Sequence, residues 1–351
     1  MKAVVVHGPG DIRHEDLPVR SPGPGEARMR MRAAGICSSD VPRALGDAAY
    51  SYPIVLGHEM AGEVAELGKD VKGVRVGERV AVVPLIPCSR CEWCQRGRYS
   101  LCDDYNYLGS RTQGGYAEYI TAPLQNLVRL PSEVGYEAGA MLEPTAVVLH
   151  GLGTAGIRPG DDVAVIGAGP LGLLAIQLAK ILGAGSVFAI DLVETKLEVA
   201  QSLGAQAHLG NGATEVVSEA THGRGLDLVV ETAGTAEAQA SCVDLARKGG
   251  RILYLGVPER GLKLSGSAMR RLVREELTIY GAWNSYSAPF PGYEWQASLG
   301  YMAAGQLQIK PLITHRFTLK EAKEAFRMMD EEKKFFNKVM FIAGGRDEVH
   351  R

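Results

Sequence analysis

The stretch from Asp161 to Asp191 constrains the fold of this chain more than any other. Val163 to Ile166 is a continuous β-favouring apolar run, the pattern of a strand buried on both faces of a parallel sheet. It leads into Gly167-Ala168-Gly169-Pro170-Leu171-Gly172. In that spacing the first glycine permits a tight turn, the second lets a ligand approach the backbone, and the third lets a helix lie close to the strand. A helix opening at Pro170 aims its unpaired N–H groups and positive dipole end at an anion, here a dinucleotide pyrophosphate. A glycine turn alone is weak evidence, because such turns are common. The context strengthens it: a second strand over Ser186–Ile190 ends in Asp191, about 20 residues past the last glycine, where a carboxylate meets the ribose hydroxyls. That charge repels a 2′-phosphate, so the expected cofactor is NAD. An ordinary βαβ turn with a solvated aspartate is the bland alternative.

Alternating patterns extend this unit from Leu152 to Ser285. They predict a helix over Glu194–Leu203, a strand near Ala207–Leu209, a buried strand from Leu226 to Thr232, a helix over Ala236–Arg247, a strand over Arg251–Val257, a helix over Ala268–Glu276 and a sixth strand over Leu277–Gly281. Strands joined by crossovers in this way predict an α/β, doubly wound parallel sheet, a Rossmann domain over 152–285. Residues 1–151 read as a β-rich domain instead, with short runs at Lys2–His7, Ala27–Ala34, Met60–Leu67 and Arg79–Val83 between glycine and proline clusters. The proline-rich segment Asn284–Gly292 leaves the alternating pattern. Beyond it, Ala322, Ala325, Phe326 and Met329 have amphipathic-helix spacing, and Phe336–Ile342 reads as a last strand. Residues 286–351 therefore complete the first domain, with the nucleotide domain inserted and the active site expected in the cleft between the two.

A formal net charge of −2 with 46% apolar residues gives no concentrated positive field, which argues against nucleic acid or an anionic membrane as partner. Small molecules are the expected partners. Ala3–Val6 is too short an apolar run for a signal peptide, and no stretch approaches the ~20 apolar residues of a membrane span, so a cytoplasmic location is expected. In a reducing compartment cysteines serve as metal ligands or buried thiols. Cys88, Cys91, Cys94 and Cys102, spaced x2, x2 and x7 in an arginine-rich loop, can close a tetrahedral Zn²⁺ site with no open position, which makes it structural. Cys37 and His58 fall at strand ends, where reactive groups commonly sit.

Taken together, these residues resemble the zinc-dependent medium-chain alcohol and polyol dehydrogenases over essentially the whole chain. The resemblance is carried by Cys37-x-Ser39-Asp40, Gly57-His58-Glu59, the four-cysteine lobe, Leu142-Glu143-Pro144 with His150, the Gly167–Gly172 turn and Asp191. It implies a GroES-like catalytic domain beside the six-stranded Rossmann domain, and a catalytic zinc on Cys37, His58 and Glu143 with its fourth position open. Glu59 would exchange in as a ligand, and Asp40 would accept from the other ring nitrogen of His58. The wider family often uses a second cysteine where Glu143 stands; the one cysteine left here, Cys242, falls on a helix of the nucleotide domain.

The implied reaction oxidises a secondary alcohol. Ser39 passes the proton outward, hydride goes to nicotinamide C4 of NAD, and Lys196 approaches the adenosine ribose. A nearer resemblance is to members acting on a sugar-alcohol phosphate, with galactitol 1-phosphate oxidised at C5. It rests on Ser38-Ser39-Asp40-Val41-Pro42-Arg43, on Leu108-Gly109-Ser110-Arg111 with Gly114-Gly115-Tyr116-Ala117-Glu118-Tyr119, and on Tyr286-Ser287-x-Pro289-x-Pro291-Gly292-x-Glu294-Trp295. Arg43 and Arg111 are then the candidates for the phosphate, with a salt bridge across a helix start as the alternative for Arg43 and a surface carboxylate partner for Arg111. A homodimer or homotetramer paired through the sixth strands is also implied. Sorbitol/xylitol-type and threonine-type dehydrogenases are the alternatives within the enzyme class. An inactive NAD-binding protein is the alternative outside it.

Overall fold

The apolar run at Val163–Ile166 forms the strand Asp162–Ile166 in a computed structural model that describes residues 1–210, 212–258, 261–331 and 335–343. Parallel neighbours Ser186–Asp191 and Leu226–Glu231 flank it. The sheet runs Gln206–Leu209, Ser186–Asp191, Asp162–Ile166, Leu226–Glu231, Ala246–Tyr254, Thr278–Gly281, parallel throughout. Strand order therefore reverses direction after Asp162–Ile166, and the glycine turn leaves the sheet at this switch point, where doubly wound sheets bind ligands. The helix after the turn, Pro170–Ile181, buries Leu173, Leu174, Ile176 and Leu178. Ala164, Phe188, Val229, Val243 and Ile252 belong to a core of this sheet and its helices.

The described residues divide into two units. One comprises Met1–Pro144, Tyr286–Gly305 and the described part of Ile309–Arg351; the other comprises Thr145–Ser285 and Gln306–Gln308. In the first, a seven-stranded sheet runs Leu127–Arg129, Arg79–Val82, Glu59–Leu67, Glu26–Ile36, Lys338–Ile342, Ile313–Phe317, with Tyr119–Pro123 also pairing Glu26–Ile36. Register on this sheet brings distant residues together. Gly35 lies opposite Glu59 and Ile36 opposite Val339, so the chain just beyond Ile36 lies beside His58 on one strand and Lys338 on the other. Lys2–Gly8 lies between Asp11–Asp16 and Ile54–Val55 in a three-stranded sheet.

Several boundaries differ from the sequence expectation. The helix expected over Ala236–Arg247 ends at Leu245, and the next strand starts at Ala246 and stops at Tyr254; a register shift between Leu226 and Leu228 absorbs the residues before Arg251. Ser265 Oγ accepts from Ala268 N at 3.1 Å and starts the following helix earlier, at Gly266. The longest of the helices not anticipated are Ala213–Ala220, Leu142–Thr154 and Tyr293–Ala303. The first is a short segment between glycines that buries only Ala213 and Val217. The second carries Pro144 in its first turn, where a missing N–H costs nothing. The third starts immediately after Pro291-Gly292. Among the described residues, no helix is long and apolar enough to cross a membrane.

Candidate active site and metal centres

The strand ends converge on Cys37, His58 and Glu59, whose ligand atoms all lie within 4.8 Å of one another. Cys37 follows Glu26–Ile36, and Glu59 opens Glu59–Leu67. Gly57 turns the chain into His58 with φ +99°, and a Cβ there would overlap the Tyr116 ring, so a side chain is excluded twice over. Asp40, fully buried, has Oδ1 3.5 Å from His58 Nδ1, while its Oδ2 accepts from Tyr116 Oη at 2.6 Å and Cys37 N at 3.2 Å. Burial opposes charge on the His58 ring, but Asp40 and Cys37 outweigh it and hold the imidazole well above its usual value. His58 Nδ1 and Asp40 Oδ1 are buried without a completed hydrogen bond. A thiolate, an imidazole and a carboxylate converging in this way fit Zn²⁺.

Both Glu59 oxygens accept from Lys338 Nζ at 2.7 Å, and Lys338 also donates to Ile36 O. This pair is nearly sealed, with side chains 4% and 2% exposed. Burial opposes charge on the lysine, yet Glu59 and Cys37 hold its pKa above the usual value. The pairing orients the Glu59 carboxyl group beside His58.

Glu143, expected as the third ligand, stands outside the three-residue cluster. Its Oε1 accepts from Tyr107 Oη at 3.0 Å, and Tyr107 Oη is 3.1 Å from Tyr286 Oη. The Tyr107 ring lies edge-on to His58, centroids 5.8 Å apart. Burial pushes the Glu143 carboxyl up to about 7, against the pull of His58. The strand that carries Glu59 puts it at the cluster, and the tyrosine hydroxyl holds Glu143 beside it.

Ser39 and Arg43 lie on the same side as Cys37. Ser39 Oγ donates to Cys37 Sγ at 3.3 Å and accepts from Arg43 Nη1 at 2.8 Å, and Arg43 stands 3.5 Å from Asp40 Oδ1. The salt bridge across the helix start thus coexists with contact to the serine. Arg111 stands against aromatic rings. Its guanidinium lies 4.1 Å from the Tyr105 ring centroid and 4.9 Å from that of Tyr50, and Nη1 donates to Tyr105 O at 3.2 Å.

Cys88, Cys91, Cys94 and Cys102 bring their sulfurs within 4.8 Å of one another, with Cys94 and Cys102 buried. Backbone N–H groups of Arg90 and Cys91 lower the Cys88 thiol to about 6, whereas burial and the neighbouring thiols push Cys94 up to about 12. Without a cation these sulfurs cannot all ionise together; a divalent metal removes that conflict.

The glycine turn keeps its own geometry. Gly167 has φ +94°, a Cβ on Gly172 would overlap the Gly167 carbonyl, and a Cβ on Gly169 would meet nothing within 4 Å. Tight turn, close packing and open space thus fall on the three glycines as a pyrophosphate seat needs, with Pro170 and Leu171 opening the helix above it. Asp191 ends its strand with Oδ2 accepting from Ala168 N at 2.7 Å and Oδ1 from Val193 N at 2.9 Å, and each oxygen retains a lone pair for a hydroxyl. Lys196 lies in the first turn of the helix Glu194–Ser202.

Family models match on both sides of this geometry: an alcohol dehydrogenase GroES-like domain over residues 23–132 and a zinc-binding dehydrogenase over 170–300. Galactitol 1-phosphate 5-dehydrogenase of Escherichia coli (strain K12) is 37% identical over 320 residues, 90% of each chain, and sorbitol dehydrogenase of Bacillus subtilis (strain 168) is 33% identical over 350 residues, 97% of this chain and 96% of that one. The chain belongs to the zinc-dependent medium-chain polyol dehydrogenases. A crystal structure of galactitol-1-phosphate dehydrogenase from Escherichia coli matches it with TM-score 0.91 at 36% identity, covering 97% of this polyol dehydrogenase and 100% of that chain.

Sequence reasoning missed Lys338, Tyr107 and Tyr286 as parts of this dehydrogenase site. Lys338 did leave a signal: it is the one charged residue inside the apolar run Lys338–Ile342, where a lysine needs a buried partner. Tyr107 left none, because its role depends on a helix that begins at Leu142.

Proposed function

We propose that this chain oxidises a secondary hydroxyl of a sugar-alcohol phosphate in the cytoplasm, galactitol 1-phosphate at C5 first among them, and passes the hydride to NAD⁺. The observation that carries this reading is Arg43, a cation whose side chain is 18% exposed, one hydrogen bond from Ser39 and two from Cys37. A guanidinium there suits the dianionic end of a substrate whose hydroxyl is at Cys37, His58 and Glu59. Arg111, near the rings of both Tyr50 and Tyr105, is a second phosphate contact, with further donors besides the one on Tyr105 O. The likeness to the galactitol 1-phosphate enzyme supports the same substrate class.

Zinc held by Cys37, His58 and Glu59, with Glu143 beside them, would supply the positive charge that lowers the pKa of the substrate hydroxyl. Ser39 would relay the proton: its oxygen, which accepts from Arg43, takes the proton of the substrate hydroxyl as its own O–H, turned away from Cys37 Sγ, passes its proton to solvent, which the half-buried side chain reaches. Lys338 fixes the Glu59 carboxyl group next to His58. NAD⁺ over Gly167–Gly172 is the hydride acceptor.

The test is turnover on matched substrates. Galactitol 1-phosphate is expected to have a much higher kcat/KM than galactitol or sorbitol, and Arg43→Ala to erase about 1.5–3 kcal/mol of that preference. Equal turnover of the phosphorylated and free polyols, unaffected by Arg43→Ala, would leave a plain polyol dehydrogenase. For the cofactor, Asp191→Ala is expected to relax the NAD preference by about 1.5–3 kcal/mol, read as the ratio of kcat/KM for NAD⁺ and NADP⁺. Comparable ratios in the unaltered enzyme would remove the role given to Asp191. Association into a homodimer or homotetramer through the sheet edge Thr278–Gly281 accords with the exposed Met269 and Val273 on the neighbouring helix Gly266–Arg274, and light scattering checks it.

A further inference from the structure

The segment Tyr286–Trp295 matched a subgroup pattern, yet the reaction described above gives it no task. Its contacts run in two directions. Toward the cysteine lobe, Tyr286 N donates to Ser100 Oγ at 2.8 Å and Ser100 N donates to Tyr286 O at 3.1 Å, and Ser100 sits in the turn Tyr99–Leu101, two residues before Cys102. Tyr99 meets Phe290 edge-on at 5.5 Å, and a Cβ on Gly97 would overlap Ala288. Tyr286 is stacked between Phe290 and Trp295, centroids 6.3 and 6.0 Å away. Toward the active site, Tyr286 Oη is 3.1 Å from Tyr107 Oη, which donates to Glu143. Ser100, Tyr107, Glu143 and Tyr286 are all buried.

A hydrogen bond between two buried phenols is directional and has no water to replace it, so displacing one ring displaces the other. We infer that the four-cysteine lobe, besides stabilising the fold, positions the Glu143 carboxyl beside the Cys37–His58–Glu59 cluster through Ser100, Tyr286 and Tyr107. Tyr286 and Tyr107 are positioning residues, and neither reacts. The inference rests on the metal reading of the Cys37 cluster given above. It gives Ser100, Tyr107 and Tyr286 a shared task, since each is hydrogen-bonded to the next along this path.

The experiment loads Co²⁺ at the Cys37 cluster with zinc kept in the lobe, and records ligand-field bands and affinity by chelator competition, with Cys37→Ser defining the signal. Tyr107→Phe is expected to weaken Co²⁺ binding about 10–100-fold and to shift the bands, as loss of an outer-shell partner does, because it frees the Glu143 carboxyl from its place beside the cluster. Ser100→Ala is expected to shift both in the same direction by a smaller factor. Tyr286→Phe keeps the ring stacking and serves where Ser100→Ala folds poorly; it is expected to do the same. In a Glu143→Gln background all of these effects vanish. A purely structural role would lower the unfolding temperature and leave the Co²⁺ spectrum unmoved. A Cys37-dependent spectrum untouched by Ser100→Ala and Tyr286→Phe overturns the role given to the lobe and leaves the metal reading standing. Absence of any Cys37-dependent Co²⁺ signal overturns both.

Discussion

Cys37→Ser is expected to reduce kcat by about a thousandfold or more, because a Lewis acid at the reacting oxygen contributes several kcal/mol of transition-state stabilisation. The serine keeps the shape of the site and removes its thiolate, leaving His58 and Glu59, of which Glu59 is already held by Lys338. Folding should change little: Cys37 follows the end of a strand whose ladder partners are all backbone. The measurements are kcat with a polyol panel, zinc per chain by elemental analysis, and the unfolding midpoint. Full activity in a Cys37→Ser protein that has lost one zinc per chain would remove the catalytic role from this cluster.

Cys94→Ala should do the reverse. Its thiol is buried, pushed up to about 12 without a metal, and surrounded by three other sulfurs. Structural zinc in small metal-folded peptides is bound with apparent free energies of about 10–16 kcal/mol, and part of that holds the lobe shut here. Against a total stability of about 5–15 kcal/mol for an ordinary domain, losing even a third is a large fall in unfolding temperature. Chelation of the unaltered protein should reproduce the fall. An unchanged midpoint in Cys94→Ala, with zinc content undiminished, would show that the lobe needs no metal.

Features whose causes are local were legible from the residues alone. Gly167, Gly169 and Gly172 each answer a constraint set within a few residues, a positive φ, an open approach or a close packing contact, and spacing is enough to read them. The cysteine lobe is similar, since its ligands lie within one short loop. The different settings of Glu59 and Glu143 were not legible, because Lys338 and Tyr107, which hold them, lie far from either in sequence. Arg111 shows the same limit: its partners turned out to be the faces of Tyr50 and Tyr105, and no spacing rule announces an aromatic clamp. Helix Tyr293–Ala303 was hidden because Pro289 and Pro291 read as an end, whereas Gly292 with φ +130° lets a helix start directly behind them.

The ion pair between Glu59 and Lys338 spans 279 positions of the chain, and it has a consequence for the order in which this protein can be made. A ribosome delivers Cys37, His58 and Glu59 early, then the whole parallel-sheet unit, and only afterwards the strand that slots between Glu26–Ile36 and Ile313–Phe317. Until that strand arrives, Glu26–Ile36 lacks a neighbour and Glu59 is a carboxylate with no cation to match it, so the nascent first half keeps its reactive thiol in an unfinished sheet. Non-local closure of this kind is slow, because the ends of a long intervening segment must meet before any contact repays the lost freedom. The buried counter-ion of Glu59 thus arrives long after Cys37, His58 and Glu59 themselves, and the surroundings of the metal cluster are complete only once the last strand closes the sheet.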